Sequence, residues 1–128
     1  MAVFRRADIE PGPHERRQRL RRGRLSEAIA AATLMAKGYR ILGRRVKTRA
    51  GEIDIIAVRG KRLAFVEVKR RASTEAAEAA ITARQAARIR RAADHWLAHR
   101  PRYHECDLCF DLMLLVPGRW PRHIPNGL

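Results

Sequence analysis

The sequence predicts an α/β fold: a central mixed β-sheet that carries an acidic β-hairpin and is flanked by helices. Three observations predict it. Residues 51–70, GEIDIIAVRGKRLAFVEVKR, read as two apolar runs around the turn Arg59-Gly60-Lys61-Arg62, with the Ile, Val and Phe content that a hairpin favours. The stretches 25–37 and 82–99 carry apolar residues at helical spacing. Asp107–Val116 is a further apolar run able to extend a sheet.

Charge is misplaced in the hairpin. Asp54 interrupts Ile53-Ile55-Ile56, and Glu67 interrupts Phe65-Val66-Val68. A register that sets Val58 opposite Leu63 also sets Asp54 opposite Glu67 and Glu52 opposite Lys69, all on one face. Ile53, Ile55, Ala64, Val66 and Val68 then take the other. Two facing carboxylates repel, and burial makes the repulsion worse. A hard cation such as Mg²⁺, which prefers oxygen ligands, relieves it. The competing reading is a surface hairpin whose carboxylates pair with neighbouring Arg and Lys.

The other elements follow in order. Residues 1–22 hold Pro11-Gly12-Pro13 and an Arg-rich run, read as a basic, loosely ordered arm before a single domain at 23–128. The helix at 25–37 stops at Gly38, with Ser26, Thr33 and Lys37 on its polar side. Glu27 shares an azimuth with Leu34, so it can reach inward; the alternative is a first-turn Glu favoured by the helix dipole. Tyr39–Lys47 reads as a strand. Ala72–Ala80 is small and acidic, a loop or a helical extension. Thr82-Ala83-Arg84-Gln85 has capping-box spacing, and Ile81, Gln85, Ile89, Ala92 and Trp96 form the inward stripe of the helix that follows. Pro101 ends it, and Ile124 lies in a short last segment. Cys106 and Cys109 lack a second Cys/His pair at zinc spacing; His95 and His99, four apart, lack an evident third metal ligand.

The net charge is +15, from 28 Lys and Arg against 13 Asp and Glu. Such an excess predicts a nucleic-acid partner, with Arg44, Arg45, Lys47, Arg49, Arg70, Arg71, Arg84 and Arg88 as its phosphate-binding rim. No apolar run approaches the roughly 20 residues of a membrane-spanning helix. The first 25 residues lack a signal-peptide core, and two cysteines make no disulfide framework, so a cytoplasmic protein is expected.

Asp54, followed on the next strand by Glu67-Val68-Lys69, resembles the D…(D/E)-x-K signature of restriction-endonuclease-like nucleases. The ordered set Gly38-Tyr39, Gly51-Glu52-Ile53-Asp54, Phe65-Val66-Glu67-Val68-Lys69, Phe110-Asp111 and His123-Ile124-Pro125-Asn126 resembles the YraN family, bacterial proteins related to that superfamily and to Holliday junction resolvases. The resemblance implies a restriction-endonuclease-like core and a Mg²⁺- or Mn²⁺-dependent endonuclease acting on phosphodiesters; DNA is favoured over RNA as the partner, with the choice between them left open by the sequence. It implies metal binding by Asp54 and Glu67 with Glu27, and a site completed by Lys69 and Gln85. Glu52 would position Lys69, and Asp111 falls on a family strand in a structural or catalytic role. Where the family usually has Gly, this chain has Ser26. Cutting two strands would favour a homodimer. The alternative is a non-catalytic nucleic-acid-binding protein of the same fold.

Overall fold

A computed structural model describes residues 12–72 and 83–128. Helix α1 (Pro13–Ala36) leads into strands β1 (Arg40–Thr48), β2 (Gly51–Arg59) and β3 (Arg62–Arg70). Helix α2 (Ala83–Ala98), a 3₁₀ turn at Pro101–Tyr103, and strands β4 (Asp107–Leu115) and β5 (Arg122–Ile124) complete it. The sheet runs β1-β2-β3-β4-β5. Every pairing is antiparallel except β3 with β4, which the crossover through α2 makes parallel.

Helix α1 begins twelve residues earlier than the sequence reading placed it. Residues 13–22 are helical rather than a loosely ordered arm. Pro13 stands at the first turn, where a missing N–H costs nothing, and the Arg, Gln, Leu and Glu that follow are good helix formers. Residues 1–11, the 72–80 segment beyond Ala72, Ile81 and the capping Thr82 lie outside the described residues. The other end of α1 closes as a Schellman motif. Tyr39 N–H donates to Leu34 O and Gly38 N–H to Met35 O, both at 3.0 Å, with Gly38 at φ +91°.

The helices cover opposite faces. Ala30, Ala31 and Leu34 of α1 pack on Ile55, Ala57, Ala64, Val66 and Met113. Ile89, Ala92, Ala93 and Trp96 of α2 pack on Ile56, Leu63 and Phe65. Phe65 is fully buried, stacked on Phe110 and met edge-on by Trp96. The polar side assigned to α1 is corrected: Ser26 is buried and Thr33 half-buried, while Leu25, Ile29 and Met35 are exposed. The fuller packing of the sheet against Ala30, Ala31 and Leu34 decided which side turned inward. Cys109 on β4 joins the α1 side, and Cys106, just before the strand, packs against the α2 side.

Candidate metal and nucleic-acid site

Hairpin register sets the site. Ile55 pairs with Val66, Ile56 with Phe65 and Val58 with Leu63, the alignment expected from the turn. Beyond Ile55 the ladder opens. Val68 N–H donates to Asp54 Oδ2 at 2.9 Å, so the carboxylate occupies a position that a backbone carbonyl would otherwise fill. The partner strand is irregular at the same point. Arg45, across from Asp54, has φ +51°, a left-handed conformation uncommon for residues other than Gly. One face assignment changes accordingly. Ile53 packs with the α2 cluster, not with Ile55 and Val66 on the α1 side. The period-two alternation breaks at Asp54.

Asp54 and Glu67 come together, and Lys69 joins them. Burial, then the charge of Glu67, push the Asp54 carboxyl up from 3.8 to about 7; the Val68 hydrogen bond opposes them and Glu27 adds a smaller push. Lys69 Nζ lies 3.1 Å from Glu67 Oε1, with both side chains largely buried. Lys69 therefore pairs with Glu67 rather than with Glu52. Glu52 is exposed and stands opposite Lys47 on β1, because the opened ladder no longer aligns it with β3. Its expected supporting role is corrected.

Glu27 reaches the site from the first helix. It is only 6% exposed, and one oxygen, Oε2, accepts from Arg45 Nε. Oε1 is buried and has no hydrogen-bond partner. Arg45 is thus an internal counter-ion of Glu27, which corrects its placement on the outer rim. Of the other rim cations, Arg44, Lys47, Arg49, Arg70, Arg84 and Arg88 are exposed, and Arg71 is half-buried with its guanidinium on Arg70 O at 2.8 Å. Arg88 lies against Gly51, 3.2 Å from where a Cβ would stand, so α2 crosses close to the start of β2. Gln85 is half-buried on the first turn of α2. His95 and His99 are exposed and share a cleft with Lys47, Arg49 and Arg100.

These residues fit a divalent cation. A raised carboxylate, a second carboxylate beside it and an orphaned buried oxygen of a third are what a positive ion would relieve, and all are hard oxygen donors. Among the described residues no three His, Cys, Asp or Glu side chains gather closely enough to hold an ion by themselves. Asp54 and Glu67 would hold it as a pair with water in the remaining positions, as Mg²⁺ usually demands, and Glu27 would act through water.

A further buried carboxylate, away from this site, escaped the sequence reading in its detail. Asp111 on β4 is fully buried. It accepts from Arg62 through both oxygens (2.6 and 2.8 Å), from His123 Nε2 at 2.7 Å and from Asn126 N–H at 2.9 Å. Burial alone would raise its pKa; the bonds from His123, Arg62 and Asn126 outweigh burial and hold it well below the usual range. Arg62 also reaches Tyr39 Oη, and Lys37 Nζ meets His123 Nδ1. The Gly38-Tyr39, Phe110-Asp111 and His123–Asn126 motifs therefore converge on one clamp, separate from the Asp54 pair. Their shared presence in the resemblance was the available signal.

The chain matches the model of the uncharacterised protein family UPF0102 over residues 26–115. It is 53% identical over 108 residues to a UPF0102 protein of Maricaulis maris, covering 84% of this chain and 85% of the relative. It is 50% identical over 125 residues to one of Rhodopseudomonas palustris (98% and 95%) and 48% identical over 122 residues to one of Methylorubrum extorquens (95% and 94%). Among the described residues no helix is long and apolar enough to cross a membrane.

Proposed function

The chain belongs to the UPF0102 (YraN) family, and from that premise and its paired carboxylates we propose that it is a metal-dependent endonuclease that hydrolyses phosphodiester bonds in nucleic acid, DNA in preference to RNA. The single observation that carries the reading is the pairing of part-buried Asp54 with buried Glu67, with Lys69 3.1 Å from Glu67. A structural carboxylate pair would be expected to collect donors until its charge was balanced. This one is left short.

Asp54 and Glu67 would bind Mg²⁺ or Mn²⁺, with Glu27 steadying a coordinated water. When bound, the ion lowers the pKa of that water and polarises the phosphoryl oxygen. Lys69, held beside Glu67, is positioned to orient the attacking water and to offset the negative charge that grows on phosphorus. The water oxygen bonds to phosphorus as the ester oxygen leaves and takes up a proton. Exposed Arg44, Lys47, Arg70, Arg84 and Arg88 hold flanking phosphates. Cutting both strands of a duplex or junction favours a homodimer.

A metal titration coupled to cleavage of branched, single-stranded and duplex DNA tests the reading. Cleavage that needs Mg²⁺ or Mn²⁺ and vanishes in Asp54→Asn is the expected result. Tight binding with no cleavage of any substrate would instead favour the non-catalytic reading, which the net charge of +15 by itself supports.

A further inference from the structure

The chain has two tryptophans with opposite fates. Trp96 is buried against Phe65, whereas Trp120 is 92% exposed. A single exposed apolar residue is ordinary, but Trp120 is neither isolated nor loosely held. The segment after β4 turns through Val116-Pro117-Gly118-Arg119, closed by Arg119 N–H on Val116 O at 3.1 Å, with Gly118 at φ +76°. Pro at the second position and Gly at the third match a type II turn. Trp120 follows that turn directly, and Pro121 after it restricts the Trp120 backbone to extended conformations.

The loop leaves the end of β4, the strand that pairs with the Glu67- and Lys69-bearing β3. Arg70 pairs with Leu115 across the parallel β3–β4 ladder, and Arg71 N–H donates to Leu115 O. A groove lined by Leu25, Ser26, Ile29, Arg70, Val116 and Arg119 runs beneath the loop. It adjoins the groove of Trp120 and Arg122 through Val116, Gly118, Arg119 and Pro121. Ser26 immediately precedes Glu27, and Arg70 immediately follows Lys69. The first groove is lined by Ser26 and Arg70, chain neighbours of Glu27 and Lys69, with Arg70 on the opposite face of β3 from Lys69, and the second includes the exposed indole.

We propose that Trp120 is a stacking platform for an unpaired nucleobase, which would make a single-stranded segment part of what this chain recognises. Every base has a π-face, and an exposed indole flanked by cations is how proteins seat single strands without reading sequence. In a duplex the base faces are already stacked and Trp120 has nothing to receive. Exposed Arg70 and Arg119 beside the loop suit the strand's phosphates. The inference rests on the nucleic-acid reading above and narrows its substrate to one with an unpaired segment.

Tryptophan fluorescence in chelator, with no metal and no turnover, tests it. Titration with a single-stranded oligothymidylate should quench emission, and buried Trp96 supplies a constant background. Trp120→Ala should abolish the quench and weaken single-strand binding about 5- to 100-fold, the range of one lost stacked base, while duplex binding changes less than about twofold. Trp120→Phe should retain most of the affinity. Unaltered circular dichroism and melting in both variants exclude a folding effect. Equal weakening of single-strand and duplex binding, or none, overturns the platform. Because the readout needs no catalysis, a protein that stacks but never cuts retires the nuclease reading alone, and one that cuts but ignores Trp120 retires the platform alone.

Discussion

Asp54 and Asp111 are both aspartates inside the same sheet, two strands apart, and their surroundings could hardly differ more. Asp111 receives four hydrogen bonds, two from a guanidinium, and its pKa is held well below the usual range. Asp54 receives one backbone N–H, faces Glu67, and is pushed up to about 7. The difference separates two uses of buried charge. A carboxylate saturated with donors ties elements together. A carboxylate left short of donors keeps its affinity for something the fold does not itself provide, and perturbed groups of this kind gather at functional sites.

The comparison breaks most sharply on substitution. Asp54→Asn keeps an acceptor for Val68 N–H but removes a proposed metal ligand, so cleavage should fall about 1,000-fold or more, with the metal-free melting temperature unchanged or raised. A fall in that melting temperature would show that Asp54 is structural. Asp111→Asn should do the reverse. It leaves the part-buried Arg62 without its counter-charge and should cost about 3–5 kcal/mol of stability, read by denaturant unfolding with metal or without. An unfolding midpoint equal to that of the unsubstituted protein would remove the clamp from the account.

Lys69→Ala sharpens the catalytic side. A group that acts in the transition state lowers turnover without weakening binding. Cleavage should drop about 100-fold, while affinity, spread over many cations, changes by less than about 1 kcal/mol. If only affinity moves, Lys69 is a phosphate contact.

The smallest effect is in pH. The folded protein binds the Asp54 proton more tightly than the unfolded chain, about 7 against 3.8. The metal-free protein should therefore lose stability as pH rises from about 4 to 7. Asp111, held low in the folded state, contributes above the ordinary carboxylate range, and that contribution fades as pH falls below about 4. Melting curves between pH 3 and 8 should flatten above pH 4 in Asp54→Asn, and an unaltered slope would assign the titration elsewhere.

What the sequence disclosed follows the range of the interactions involved. The hairpin register was legible because a short Gly-containing turn and alternating Ile, Val and Phe leave few alignments. With it came Asp54, Glu67 and Lys69 as neighbours. The flip of Ile53 was not legible, because it depends on the left-handed backbone of Arg45 on another strand. Nor was the use of Arg45 by Glu27, eighteen residues apart in the chain, since composition alone places an Arg on the rim. The start of α1 was misread through charge, with good helix formers taken for a solvated arm. The Asp111 clamp joins residues 49 and 12 positions apart, beyond any local pattern. Trp120 offered one local signal, an aromatic between Pro117-Gly118 and Pro121.

The lone parallel pairing, β3 with β4, bears on how the chain reaches this state. Strands β1, β2 and β3 form a meander of short-range contacts that can close early, and Asp54, Glu67 and Lys69 all lie on it. Strand β4 must instead wait for residues 71–106 to loop across the sheet, and non-local parallel pairing of this kind is intrinsically slow. Arg62 and Asp111 sit at opposite ends of that delay, one on each strand. The repelling carboxylates are thus brought together before the clamp that stabilises the sheet exists. A cation that relieved the Asp54–Glu67 repulsion as the meander forms would favour that early step, so refolding with and without Mg²⁺ tests the proposed site by a route independent of cleavage.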